Sequence, residues 1–81
     1  MEKDSEEKIK TLFSHNFGIE ENNVNPSLEL LQDLNLSHLE IADFLLILED
    51  TFHIEIPKEE SEKFVTLGDI IDYVVNHESV T

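Results

Sequence analysis

The spacing of apolar residues is the feature that most restricts the fold of this chain. Near its start, apolar residues recur at i, i+3, i+4 and i+8, the period of one helix face: Ile9, Leu12, Phe13 and Phe17. Near its end, a second stripe of this kind contains Leu67, Ile70, Ile71, Val74 and Val75. Period-two alternation occurs only from Phe52 to Ile56 and finds no second strand to pair with. The pattern predicts an all-α fold.

Capping residues place the helix ends. Ser37 is followed three positions later by Glu40, and Thr66 by Asp69, which is the capping-box signature of a helix start. Pro57 suits the first position of a further helix, which has few apolar anchors. We therefore predict a small four-helix bundle with three longer helices and one short one: residues 5 to about 16, 37 to 51 or 52, a short helix from 57, and 66 to 76 or 77.

A long loop, residues 18–36, joins the first two helices. A structureless loop of this length is uncommon in a compact domain, and this one contains several apolar residues. We expect Ile19, Val24 and some of the leucines to pack on the core. Residues 27–32 are predicted to form a helical turn.

Length and charge limit the class of protein. The 81 residues, 40% of them apolar, suit a single domain, residues 1–81. The net charge of −14, without any arginine, makes nucleic acid an unfavourable partner because phosphates would be repelled. No apolar run is long enough to span a membrane, and no secretory leader is visible. We expect a cytoplasmic monomer.

Residues for catalysis or metal binding are not grouped in the sequence. The chain has no cysteine, and its four histidines lack the spacing of a metal site. No motif surrounds a serine that would activate it as a nucleophile. We therefore expect no catalytic residue, no metal site and no enzymatic activity.

The second helix has two unlike faces. At about 100° per residue, one arc is apolar and faces the core: Ile41, Phe44, Leu45, Leu48 and Phe52. The opposite arc mixes acidic and apolar residues: Leu39, Glu40, Asp43, Leu46, Ile47 and Asp50. Either Leu39 and Leu46 tuck under the long loop, or this arc is a docking surface that recognises a basic partner.

Three stretches of the chain resemble the acyl carrier proteins. They are Asn22-Asn23-Val24-Asn25, Leu30-Leu31-Gln32-Asp33-Leu34, and Leu48-Glu49-Asp50-Thr51-Phe52 through Ile56-Pro57. The resemblance implies a four-helix fold and, in the family, an Asp-Ser-Leu triplet whose serine carries 4'-phosphopantetheine. Here the triplet reads Ser37-His38-Leu39. His38 therefore occupies the position of the modified serine.

This departure leaves three functional hypotheses. The first is an acyl-carrier-like binding module without phosphopantetheine, in which Ser37 only caps the helix. It would dock on a basic-patched biosynthetic enzyme through the positions that the resemblance implies: Leu39, Glu40, Asp43, Leu46, Ile47, Glu49 and Asp50. The second is a working acyl carrier in fatty-acid or polyketide-type biosynthesis, with 4'-phosphopantetheine on Ser37. The third is an acidic domain that mimics another polyanion.

Overall fold

The computed structural model describes residues 4–78, so the ends of the predicted domain, 1–3 and 79–81, lie outside it. Four α-helices follow one another: α1 (Asp4–Phe17), α2 (His38–Phe52), α3 (Lys58–Ser61) and α4 (Leu67–His77). A single 3₁₀ turn, Glu21–Asn23, lies in the loop between α1 and α2. The described residues form no β-strand, only an isolated bridge between Glu29 and Thr66. The predicted all-α class is confirmed, and the helix bounds agree to within one or two residues.

The core is filled by side chains from α1, α2 and α4 and from the long loop. Phe13, Phe17 and Phe44 form an aromatic cluster with ring centroids 4.8 to 5.6 Å apart. The space beside this cluster is too small to hold a water molecule. The buried apolar side chains are Ile9, Phe13, Val24, Leu30, Phe44, Leu45, Leu48, Leu67, Ile70, Ile71 and Val74. These side chains pack together as one hydrophobic core.

The long loop is fastened to the start of α4 by backbone hydrogen bonds. The amide of Leu30 donates to Val65 O at 2.9 Å, that of Leu67 to Leu28 O at 3.0 Å, and that of Gly68 to Pro26 O at 2.8 Å. Val24 and Leu30 are buried, as predicted for apolar residues of this loop.

The helical turn predicted for residues 27–32 is displaced. The amides of Asp33 and Leu34 donate to Glu29 O at 2.9 and 3.2 Å, so the turn starts two residues later. The cause is tertiary, because Leu28 and Leu30 use their backbone groups to pair with Leu67, at the start of α4, and with Val65 just before it.

The first and last helices close the bundle. α1 packs against α4, and the Ser5 hydroxyl donates to Glu78 Oε2 at 2.6 Å. The two ends of the described chain therefore meet at one end of the bundle. Among residues 4–78, no helix combines the length and the apolar content that crossing a membrane requires.

Candidate functional site

The start of α2 is an exposed capping box. Ser37 Oγ accepts a hydrogen bond from the Glu40 amide at 3.1 Å, and Glu40 Oε1 accepts one from the Ser37 amide at 2.8 Å. The Ser37 hydroxyl therefore satisfies a backbone donor at the helix end, as the sequence predicted. His38 follows as the first helical residue, and its side chain is exposed.

The loop before this cap turns sharply to present it. Asn35 has a positive φ of 56°, which asparagine tolerates better than most residues. The Leu36 amide donates to Leu30 O at 3.1 Å and closes the turn. Because Leu30 is buried, this bond fixes the approach of the chain to Ser37 against the core.

Three apolar side chains on the outer face of α2 point into solvent. Leu39 is 70% exposed, Leu46 61% and Ile47 37%. The hypothesis that Leu39 and Leu46 tuck under the long loop is therefore wrong. The loop packs on the start of α4 instead and leaves this side of α2 uncovered. We use "helix-two face" for these three residues together with Asp43 and Asp50.

The acidic residues of α2 separate into two groups. Glu40 belongs to the capping box, and Glu49 is half-buried, with Oε2 accepting the Ile56 amide at 2.6 Å. Glu49 thus anchors the connection between α2 and α3, which the sequence did not reveal. Asp43 and Asp50 are exposed, and within residues 4–78 no ion pair engages them. A partner role for any of these acids stays a prediction.

A surface groove of about 680 Å³ lies beside the helix-two face, and sequence reasoning missed it. Its apolar lining comes from three segments: Leu31, Ile41, Ala42, Leu45, Phe64 and Val65. Its polar lining consists of Glu29, Gln32, His38, Lys58, Ser61 and Glu62. His38 therefore faces the groove. The sequence signals were apolar residues outside the helical stripes: Phe64, together with Leu31 and Val65, which are 45% and 56% exposed.

The wall of the groove around Val65 is held by the carboxylate of Asp69. Asp69 Oδ2 accepts the amides of Val65 at 2.9 Å and Thr66 at 3.0 Å. These two backbone hydrogen bonds lower the pKa of Asp69 below its ordinary value, and the one from Val65 has the larger effect. Behind the wall, the ring of Phe64 packs edge-on against Tyr73, 5.8 Å away.

The residues at this site do not fit a phosphopantetheine ester at the position implied by the resemblance. That position presents the imidazole of His38, and the neighbouring hydroxyl of Ser37 already caps α2. Across residues 4–78, no three histidine or carboxylate side chains come together as metal ligands would.

Comparisons with known proteins cover nearly the whole chain. The family described as "Phosphopantetheine attachment site" matches residues 7–74. An acyl carrier protein from Lactobacillus acidophilus is 35% identical over 71 residues, which are 88% of this chain and 89% of that protein. One from Rubrobacter xylanophilus is 34% identical over 73 residues, 90% of each chain. The solved structure of the acyl carrier protein from Enterococcus faecalis superposes with a TM-score of 0.81, at 33% identity, covering 96% of this chain and 99% of that one.

Proposed function

The chain belongs to the acyl carrier protein family, and we propose that it is a member that docks on partner enzymes without carrying 4'-phosphopantetheine. Acyl carrier proteins are carriers rather than enzymes, so the prediction that this chain is not an enzyme is confirmed at the level of its family.

The observation that carries this proposal is the position of His38. It is the first residue of α2 and exposed, with an imidazole where the family has the serine that is esterified. A serine oxygen can attack the pyrophosphate of coenzyme A and leave a stable phosphodiester. An imidazole nitrogen would give a labile phosphoramidate instead. A phosphopantetheinyl transferase that recognised this helix would therefore find no hydroxyl nucleophile at residue 38.

Ser37 supports the alternative, a working carrier, because its hydroxyl is exposed next to the usual position. Two features oppose it. The hydroxyl oxygen accepts the Glu40 amide, and Ser37 precedes the helix with an extended backbone (φ −84°, ψ 161°), so its side chain does not continue the helical series that begins at residue 38. An arm attached there would leave the helix in another direction.

The helix-two face supports docking on a basic partner. Leu39, Leu46 and Ile47 can supply apolar contact area, and Asp43 and Asp50 can steer a cationic surface and fix its register. Mimicry of a polyanion, the third hypothesis, would need only the charge. The exposed leucines favour the docking hypothesis, because mimicry of a polyanion would not require exposed apolar side chains.

The test is loading by a promiscuous phosphopantetheinyl transferase with coenzyme A, followed by intact mass. We expect the wild type and the control His38→Ala to stay unmodified and His38→Ser to gain one phosphopantetheine group. Loading of the wild type that disappears in Ser37→Ala would establish the working carrier instead.

The same assay examines the helix-two face. In the His38→Ser background, we expect Asp43→Lys and Ile47→Ala each to slow loading about tenfold, the effect of losing one strong interface contact. Asp72→Lys is the matched control, since it makes the same charge change at an exposed position of α4. Equal slowing by Asp43→Lys and Asp72→Lys would assign the effect to net charge and remove the helix-two face from the proposal.

A further inference from the structure

We propose that Tyr73 of α4 controls the opening of residues 55–64, the segment that contains α3, by holding both ends of this segment at once. Residues 55–64 are called the α3 segment below. This role of Tyr73 does not depend on the proposed function, because it follows from contacts between α4 and the α3 segment.

The α3 segment is weakly held along its length. Among the described residues, positions 57 to 63 include no buried side chain. The helices that pack closely within residues 4–78 are α1 with α4 and α1 with α2, so no such interface holds α3. The amides of Ser61 and Glu62 donate to Pro57 O and Lys58 O, both at 3.0 Å and inside the segment. A single helical turn is unstable by itself, so α3 depends on the attachment of its flanks.

Both ends of the α3 segment meet the side chain of Tyr73. At the start of the segment, the Tyr73 hydroxyl donates to Glu55 O at 3.2 Å. At its end, the ring of Phe64 packs edge-on against the ring of Tyr73, with the centroids 5.8 Å apart. One side chain of α4 therefore joins the two ends of the segment.

The other two attachments each hold one end only. Glu49 Oε2 accepts the Ile56 amide at 2.6 Å near the start, and Asp69 Oδ2 accepts the Val65 amide at 2.9 Å just after the end. Loss of either bond leaves the opposite end in place. Loss of the Tyr73 contacts loosens both ends, which is the condition for the segment to open as one cooperative unit.

The ring of Tyr73 is itself held by His77, an exposed residue at the end of α4. The two rings are stacked, with centroids 3.9 Å apart and planes at 9° to each other. His77 Nδ1 lies 2.8 Å from Tyr73 O, and because a carbonyl oxygen only accepts, Nδ1 carries the proton of this bond. His77 thus positions the Tyr73 ring against Phe64.

The surroundings of the Tyr73 hydroxyl keep it a hydrogen-bond donor. Desolvation, and then the negative charges of Glu60, Glu49 and Glu55, raise the pKa of Tyr73 above its ordinary value. At neutral pH the hydroxyl therefore retains the proton that it donates to Glu55 O.

The test is amide hydrogen exchange of the full chain, followed by NMR. Tyr73→Phe removes the hydroxyl and keeps the ring against Phe64. We expect the amides of Ile56 and Ser61, one near the start of the segment and one in α3, to exchange faster by the same factor of about five. The amide of Val74, a buried residue of α4, should exchange at its wild-type rate.

A second variant examines the support of Tyr73 by His77. His77→Ala removes the stacked ring, and it should speed exchange at Ile56 and Ser61 about twofold. Asn76→Ala is the matched control, because it truncates the neighbouring exposed side chain at the same end of α4 and should leave both rates unchanged. His77→Ala changes an exposed residue, so it keeps the test valid if Tyr73→Phe fails to fold.

Three results would overturn the inference. The first is unchanged exchange of the α3 segment in Tyr73→Phe. The second is faster exchange at Ile56 alone, which would show that the ends open separately. The third is an equal increase at Val74, which would show that Tyr73 stabilises the whole bundle rather than this segment.

Discussion

The starts of α2 and α4 have the same capping box in opposite surroundings. Ser37 and Thr66 are the N-caps, and Glu40 and Asp69 complete the two boxes. The two positions between cap and acid differ completely. In α4 they are Leu67, which is fully buried, and Gly68, whose amide contacts Pro26 O; in α2 they are the exposed His38 and Leu39.

This difference shows that the start of α4 is part of the packed structure, whereas the start of α2 is exposed on the surface. The start of α4 is fastened to the long loop through Leu67 and Gly68, so its side chains are constrained by packing. The start of α2 makes only its own cap and the turn at Leu36, so residues 38 and 39 can change without disturbing the core. An exposed first helical residue such as His38 is therefore free to vary at little cost in stability.

The first test of this contrast replaces the first helical residue of each helix. Leu67→Ala should lower the free energy of unfolding by about 3 kcal/mol, because it leaves a cavity in the core. His38→Ala should change it by within about 0.5 kcal/mol, as at most exposed positions. Urea denaturation of both variants measures the difference. Similar losses would mean that the start of α2 also supports the core.

The second test compares the acids of the two boxes. Asp69→Asn should lower the free energy of unfolding by about 1–2 kcal/mol at neutral pH, because the Asp69 carboxylate accepts hydrogen bonds from two backbone amides outside the helix. Glu40→Gln should lower it by less, because Glu40 accepts a hydrogen bond from only one such amide.

The cost of Asp69→Asn should also depend on pH. The pKa of Asp69 is lowered in the folded state, so its stabilisation is complete above the unfolded pKa of about 4 and is lost as pH falls through the folded pKa. Urea denaturation at neutral pH and below pH of about 4 should therefore show the cost shrinking in acid. A cost that stays constant with pH would contradict this role.

The smallest effect is expected at the second helical residue. A Cβ on Gly68 would lie 3.0 Å from Pro26 O and 3.2 Å from Pro26 Cβ. Gly68→Ala should therefore lower the free energy of unfolding by about 1 kcal/mol, because the steric clash with Pro26 outweighs the higher helix propensity of alanine. Leu39→Ala should change stability by within about 0.5 kcal/mol. Thermal unfolding measures both, and a stabilised Gly68→Ala would show that the loop can yield.

Local patterns were enough to predict both boxes and the helices that they start. Spacing along α4 also placed Leu67 in the apolar stripe that packs on the core. The capping box of Ser37 and Glu40 predicted that the second helix begins there, and the structure starts α2 at His38. These features depend on neighbours within a few residues, which the sequence displays directly.

The remaining features depend on contacts between distant segments. The long loop pairs with residues at the start of α4 that lie about forty positions away in the sequence. Because the loop packs there, it leaves Leu39 and Leu46 uncovered. The same pairing brings Leu31 and Val65 together in the lining of the groove. The bond from Glu49 to the Ile56 amide depends on how the chain leaves α2, which no periodicity specifies.

The hydrogen bond between Ser5 and Glu78 has a practical consequence for engineering. Because Ser5 and Glu78 lie side by side, a short linker in place of residues 1–3 and 79–81 would join α1 to α4, and new termini would open in the exposed turn Glu21–Asn23. Such a circular permutant keeps α2 and the groove in one uninterrupted segment, ready for display or fusion.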